Sequence, residues 1–369
     1  MQRSVYFDHA AAELPHYEVK EFVKDALDLS YNPSAIYERG IRNRQIIETT
    51  RRKIAEMINC DPEEIYFTSG CSEANSWAID GYLKEYPEHA VYSTTIEHSS
   101  IDDNPNINKA IKVDHDGYVD LKNLREVYEN EDYANESLWV VQHGNNVTGS
   151  IQDLKKIRSI IKYGTFFVDA AQTFGKIKID VKELKIDMLS ASARKIGGIA
   201  GAGFLFINKD LKIKPLCYGS QENNLRGGTY NELAIGAFGV ALDLIDFREQ
   251  LVIKSRRDFF IQELKKIKEV DIIGTRASRL PGVILFRING LSIGSQALVG
   301  LLDDAGYMVS QDSACHAGEK IFSHVLSAMG YEEEDCKTVC RVSIGIENSV
   351  QQIQQFIKIL KGIIKMYKE

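Results

Sequence analysis

Two apolar runs that each end in polar side chains constrain this chain more than any other feature. Phe166-Phe167-Val168 leads into Asp169-Ala170-Ala171-Gln172, and the later run through Ser190-Ala191-Ser192-Ala193 delivers Arg194 and Lys195. Such runs have the character of strands buried on both faces of an α/β sheet. Open sheets of that class bind ligands outside the carboxyl ends of their strands. An acid delivered there can pair with a ring nitrogen, and a lysine amine can form a Schiff base with an aldehyde. A lone strand-end Asp or a lone surface Lys is ordinary punctuation. The functional meaning of the pair therefore depends on what else reaches the same edge.

Several other segments are expected to reach it. Ile65–Thr68 has the pattern of a buried strand and feeds Ser69-Gly70-Cys71-Ser72-Glu73 before a helix over Ala74–Leu83. A strand, a small-residue turn and a helix N-terminus together make an anion seat. No G-x-G-x-x-G or Walker pattern accompanies it, so it suits an isolated phosphate better than a dinucleotide or triphosphate. A strand at Ala90–Ser93 ends near Glu97-His98, where His98 is either a satisfied structural histidine or a site residue. Leu138–Val141 leads to a polar cluster, Gln142-His143-Gly144-Asn145-Asn146. After the glycine-rich 197–203, Phe204–Ile207 is expected to pair antiparallel at an edge.

Helices are expected over Tyr17–Leu29, Ile41–Ile58 and Asp153–Ile161. The Ile47/Ile54/Ile58 face of the second suits either a core or an interface. A hinge falls between the helices Leu233–Phe247 and Leu251–Ile267. The smaller domain beyond it is expected to hold strands at Val283–Ile288 and Val339–Ile344 and helices at Ser295–Leu302, Phe322–Met329 and Val350–Ile364, with a polar loop, Ser310–Gly318, that carries Cys315.

Composition removes other classes. With 45 basic and 52 acidic residues the formal charge is -7, and no dense Lys/Arg run marks a nucleic-acid track. No apolar stretch reaches the eighteen or so residues that span a bilayer. The first residues lack a signal-peptide pattern, so a cytoplasmic location with no membrane association is expected. Six cysteines scattered over 369 residues argue against a disulfide framework. Cys336 and Cys340 find no second pair of soft ligands, so no metal site is expected.

Taken in order, Tyr6-Phe7-Asp8, Asn32-Pro33-Ser34, Phe67–Glu73, Glu97-His98, His143–Asn146, Val168–Gln172, Ser190–Lys195, Arg226-Gly227-Gly228-Thr229, Ser313-Ala314-Cys315 and Arg341–Gly345 resemble one family over nearly the whole chain. The chain is similar to the class V aminotransferase group of fold-type I pyridoxal-phosphate enzymes, and specifically to cysteine desulfurases of the NifS and IscS type. The resemblance implies an α/β fold with a large, mostly parallel seven-stranded sheet, helices on both faces and a smaller α+β domain. It implies a large cofactor-binding domain at 16–250, and a small domain made of 1–15 and 251–369 that carries the catalytic cysteine loop.

The same resemblance implies pyridoxal 5'-phosphate as cofactor and assigns the roles. Lys195 would bind the cofactor covalently and move protons, Asp169 would keep the pyridine nitrogen protonated, His98 would stack on the ring, and Gln172 would contact the phenolic oxygen. Cys71, Ser72, Ser192 and Arg194 would hold the phosphate, with Thr229 donated by the second subunit of a homodimer. Asn146 and Arg341 would hold the substrate carboxylate, and Asn32 joins the substrate-binding set. Cys315 would take sulfur from L-cysteine as a persulfide, leaving alanine, and pass it to an acceptor protein such as an iron–sulfur scaffold or a tRNA-thiolation protein.

Three departures stand out. Arg194 replaces the usual His before the lysine, Val147 replaces the usual Glu after the active-site Asn, and Asn223 replaces a basic residue ahead of Arg226. They raise the prospect of a changed substrate or a dedicated acceptor. The alternatives are another class V enzyme, a selenocysteine lyase or an aminotransferase, and a non-enzymatic scaffold. Selenide release faster than sulfide release, amino-group transfer, and absence of a cofactor absorbance band would mark these in turn.

Overall fold

A computed structural model describes residues 4–28, 31–130, 136–275, 278–311 and 322–368. The chain begins with strand β1 (Val5–Tyr6) and then builds a seven-stranded sheet from β2 (Ile65–Thr68), β3 (Ala90–Thr94), β4 (Asn108–Ile111), β5 (Ser137–Gln142), β6 (Thr165–Asp169), β7 (Met188–Ser192) and β8 (Gly203–Ile207). The spatial order is β2-β8-β7-β6-β5-β3-β4. All neighbours are parallel except those of β8, which pairs antiparallel with both β2 and β7. Phe204–Ile207 is thus antiparallel as expected, but it is an interior strand and not an edge. Its five residues are all buried, which its unbroken apolar run requires once both flanks are occupied.

Successive residues of the central strands feed opposite cores. Trp139, Val141, Phe166, Val168, Leu189 and Phe204 join one cluster with Ile47, Ile54, Ile58 and Phe238 from helices Glu38–Ile58 and Glu232–Asp243. Leu138, Val140, Phe167, Met188 and Leu205 join the other with Trp77 and Tyr82 from helix Cys71–Glu85. This period-two alternation under helices on both faces is the α/β architecture the residues implied. It also assigns the Ile47/Ile54/Ile58 face to the core of its own chain.

Beyond the large sheet, β9 (Val270–Ile273), β10 (Val283–Ile288) and β12 (Val339–Ser343) form an antiparallel sheet in the order β12-β10-β9, while β11 (Tyr307–Met308) pairs with β1. The helix expected to run to Phe247 ends at Asp243, because the Asp246 side chain accepts from the Arg248 backbone N–H and starts a new helix, Phe247–Leu264. Helix Tyr17–Leu27 ends at the Asp28 cap, and Leu29 lies outside the described residues. The segment expected at Phe322–Met329 is helical over His324–Ala328.

We propose the division into 16–250 and 1–15 with 251–369. Separate apolar cores support it, since Phe7 packs with Phe260, Ile284, Val342 and Phe356, away from the clusters of the large sheet. The helix Phe247–Leu264 spans the boundary, and its Ile253, Phe260 and Leu264 belong to that second core.

Candidate active site

The carboxyl ends of the parallel strands open into a cavity of about 410 Å³. Cys71, Ser72, His98, Asn146, Asp169, Gln172, Ser192, Arg194, Lys195 and Arg341 all line it, so ten residues singled out in the sequence meet there. Asn32 and Thr229 are exposed and lie outside that lining. The Asn32 side chain accepts from the Ser34 backbone, closing its own turn. Cys315 lies outside the described residues.

At one end of the cleft, β2 turns through Gly70 into helix Cys71–Glu85, whose N-cap has no side chain to satisfy the first-turn N–H groups. The turn lies so close to β8 that a Cβ on Gly203 would stand 2.7 Å from Gly70 Cα, so only glycine fits there. Ser72 and Arg194, both exposed, and the half-buried Ser192 flank this end.

The floor is Asp169 at the end of β6, 1% exposed. Its carboxylate accepts from Asn75 Nδ2 at 2.9 Å, from the Ala171 N–H at 2.8 Å and from the Cys71 thiol at 3.5 Å. Asn75 is held in turn by Ser190 Oγ at 2.5 Å. Burial raises the Cys71 thiol well above its ordinary range, and the Asp169 charge adds to this. Cys71 is therefore a neutral wall residue and not a nucleophile. Asn75 was not anticipated, although its place one turn after Cys71 on the same helix face was a usable signal.

His98 caps the short helix Ser99–Asp102, with Nδ1 accepting from the Ser100 N–H at 3.1 Å. Burial lowers its basicity, and because Nδ1 accepts, the ring proton falls to Nε2. Gln172 donates to Ala10 O at 2.9 Å, while its Oε1 is buried and has no partner among the described residues.

Lys195 donates from Nζ to Ala10 O at 2.7 Å and Ala11 O at 2.8 Å. No carboxylate pairs with it among these bonds. Burial, then the charges of Lys176, Arg341 and Arg194, lower its amine to about 8. Lys176 was not anticipated as part of the site, and it lines a second cavity that also touches Lys195. Arg341, 1% exposed, reaches in from β12, donating to Asn146 O at 3.1 Å and to Asp8 Oδ1 at 2.8 Å.

His9 precedes Ala10 in the chain and sits between two acids. Its Nδ1 lies 2.6 Å from Glu13 and its Nε2 3.2 Å from Glu347. Among the described residues His9, Glu13 and Glu347 form a group close enough for a metal. Both ring nitrogens already face carboxylates, however, which is the arrangement of an imidazolium between two acids. Burial pushes this ring down, but the hydrogen bond to Glu13 and the nearby charge of Glu347 outweigh it and hold it at about 9. The folded value lies above the ordinary 6.5, so the stabilisation is complete below about pH 6.5 and lost as pH rises through about 9. Relative to His9→Gln, the wild type is expected to be more stable by on the order of 2–3 kcal/mol at about pH 5.5 and by almost nothing near pH 10. Denaturant melts of both proteins across that range check it, and a gap that persists at pH 10 would contradict it.

Two of the departures have structural explanations. Val147 is buried among Ile96, Leu285, Val325 and Met329, so its side chain packs a core. Asn223 sits between Glu222 and Asn224 with φ of 48°, 54° and 66° for the three, a left-handed turn that Asn tolerates well. The buried Arg51–Glu222 ion pair at 2.8 Å anchors that turn.

The family model described as aminotransferase class-V matches residues 5–356. A cysteine desulfurase IscS of Dictyoglomus turgidum is 35% identical over 382 aligned positions, covering 99% of this chain and 95% of that protein. Among solved structures, a NifS-like protein from Rickettsia africae superposes with a TM-score of 0.89 at 31% identity, over 98% of this chain and all of the other. A structure described as SspA in complex with cysteine gives a TM-score of 0.80 at 26% identity, over 93% and 99% of the two chains. No helix among the described residues is long and apolar enough to cross a membrane.

Proposed function

The chain belongs to the class V aminotransferases, in the group of IscS- and NifS-type cysteine desulfurases, and on that premise we propose that it converts L-cysteine to L-alanine and takes the sulfur on Cys315. The observation that carries this is the meeting of Lys195, Asp169 and Arg341 in one cleft. An amine lowered to about 8, a buried acid and a buried guanidinium suit an amino-acid substrate bound beside an aldehyde cofactor.

The side chains fit pyridoxal 5'-phosphate. Gln172 Oε1 is a buried polar atom awaiting a partner, and the first turn of helix Cys71–Glu85 offers N–H groups to an anion. Ser72, Ser192, Arg194 and the Cys71 backbone would hold the phosphate, Asp169 the ring nitrogen, and His98 a ring face. Thr229 would complete the phosphate site from the second copy of a homodimer. When bound, the cofactor supplies an electron sink for the bonds at the substrate Cα.

The chain's own residues do the rest. Arg341 and Asn146 hold the α-carboxylate end of L-cysteine, and the Lys195 amine moves the proton at Cα. The Cys315 thiolate forms a bond to the substrate sulfur while the carbon–sulfur bond breaks. The carbon keeps that electron pair, takes a proton and leaves in alanine. Cys315 then carries a persulfide for an acceptor protein, an iron–sulfur scaffold or a tRNA-thiolation protein.

The test is peptide-mapped mass spectrometry of the loaded protein after L-cysteine, beside its visible spectrum, alanine assay and a Cys315→Ser control. The expected result is a yellow protein, alanine, and an adduct of about 32 Da on Cys315 and not on the exposed Cys217. A yellow protein with neither alanine nor adduct would overturn the desulfurase reading. Selenide release or amino transfer would then identify the activity.

A further inference from the structure

Asp8 belongs to a segment recognisable in the sequence, Tyr6-Phe7-Asp8, for which the chemistry above has no use. Its contacts are specific. The Asp8 Oδ1 accepts from Arg341 at 2.8 Å and its Oδ2 from the Ser310 hydroxyl at 3.3 Å. The backbones join the same three strands of chain. Asp8 bridges Ser343 in parallel, while Ser310 and Arg341 exchange hydrogen bonds of 3.1 and 2.8 Å. The Tyr6 hydroxyl donates to the Asp8 carbonyl at 2.9 Å. Asp8 is thus fixed at its carbonyl and at Oδ2, which leaves Oδ1 to meet the guanidinium.

A guanidinium presents its donors in one rigid plane, so contacts on two different nitrogens fix its orientation. Asp8 holds one nitrogen of Arg341, and Asn146 O holds another. We propose that Asp8 is the positioning residue that sets the plane of Arg341 for the substrate α-carboxylate. This rests on the assignment of Arg341 to that carboxylate. Asp8 also neutralises a buried cation, which in isolation would weaken the pull on a second carboxylate. The two effects act in opposite directions on substrate affinity, so measurement separates them.

The experiment uses the loaded full-length protein and compares L-cysteine with its methyl ester, which lacks the anionic group. Asp8→Asn is expected to raise KM for L-cysteine about tenfold, with kcat within about twofold and the ester unaffected, so that the acid-over-ester preference falls about tenfold. Asp8→Glu is expected to restore part of that preference. Arg341→Gln should lose the preference by itself, and adding Asp8→Asn to it should change nothing further. An unchanged preference, a KM that falls, or full additivity in the double variant would overturn the proposal. If Asp8→Asn does not fold, Ser310→Ala, which frees one carboxylate oxygen, should lower the preference in the same direction, and no change would count against it. Should the wild type form no alanine from L-cysteine, the desulfurase reading fails by itself. The same preference is then read from the shift of the visible band on titration with L-alanine and L-alanine methyl ester. A wild type with no acid preference there would overturn the role of Asp8 as well.

Discussion

Lys195→Ala is expected to abolish the visible absorbance of the loaded protein and to lower L-cysteine turnover by roughly 10³–10⁴-fold. Among the described residues, Lys195 is the only lysine lining the cleft. Its Nζ rests on the Ala10 and Ala11 carbonyls, and carbonyls do not neutralise charge as a carboxylate would. Burial, then Lys176, Arg341 and Arg194, lower the amine from 10.5 to about 8. Near pH 7.5 a large minority of the amines is then neutral, against about one in a thousand for an ordinary lysine. Only the neutral form is a nucleophile or a base. Lys195→Arg, which keeps the charge and cannot release a proton, should therefore lose as much activity as the alanine variant. In the cofactor-free protein, labelling of Lys195 by an amine reagent should show its midpoint near pH 8, and Lys176→Met should move that midpoint upward by removing a like charge. A Lys195→Ala protein that stays yellow and turns over L-cysteine at more than a tenth of the wild-type rate would refute this role.

The sheet was legible in the sequence wherever burial on both faces wrote a continuous apolar run. Ile65–Thr68 and Val283–Ile288 match β2 and β10 residue for residue. What remained hidden depends on pairing partners far away in the chain. β11 is two residues long and exists through its pairing with β1. β9 interrupts its apolar residues with the exposed Asp271, so no clear period marks it. The interior position of β8 follows from its pairing with β2, which precedes it by more than a hundred residues.

The site divides along the same line. Residues delivered at a strand end, as Asp169 is, or a few positions past one, as His98 is, were visible because a polar side chain following an apolar run is conspicuous. The Ala10 and Ala11 carbonyls that hold Lys195 were not, since a backbone acceptor leaves no mark on residue type. The contact between Asp8 and Arg341 spans 333 positions, and no local pattern announces it. The role of Thr229 needs a second copy of the chain, and Cys315 lies outside the described residues.

Asp169→Asn tests the floor of the cleft with little change of shape. It is expected to lower kcat by roughly 10²–10³-fold with KM within about threefold, since a group that stabilises developing charge acts mainly on the rate. The substitution preserves volume and an oxygen for Asn75 Nδ2, which now donates at 2.9 Å. It replaces the other oxygen, which accepts from the Ala171 N–H at 2.8 Å and the Cys71 thiol at 3.5 Å, or else turns its amide toward Asn75. Either way at least one buried donor loses its acceptor, so a stability loss of about 1–3 kcal/mol should accompany the loss of rate. The two effects separate because Asn75→Ala removes a hydrogen bond to Asp169 while keeping its charge. If the charge is what matters, Asn75→Ala should be destabilised to a similar extent yet keep most of its kcat. Equal losses of kcat in Asp169→Asn and Asn75→Ala would mean that Asp169 serves the architecture of the floor and that the electron sink is governed elsewhere in the cleft.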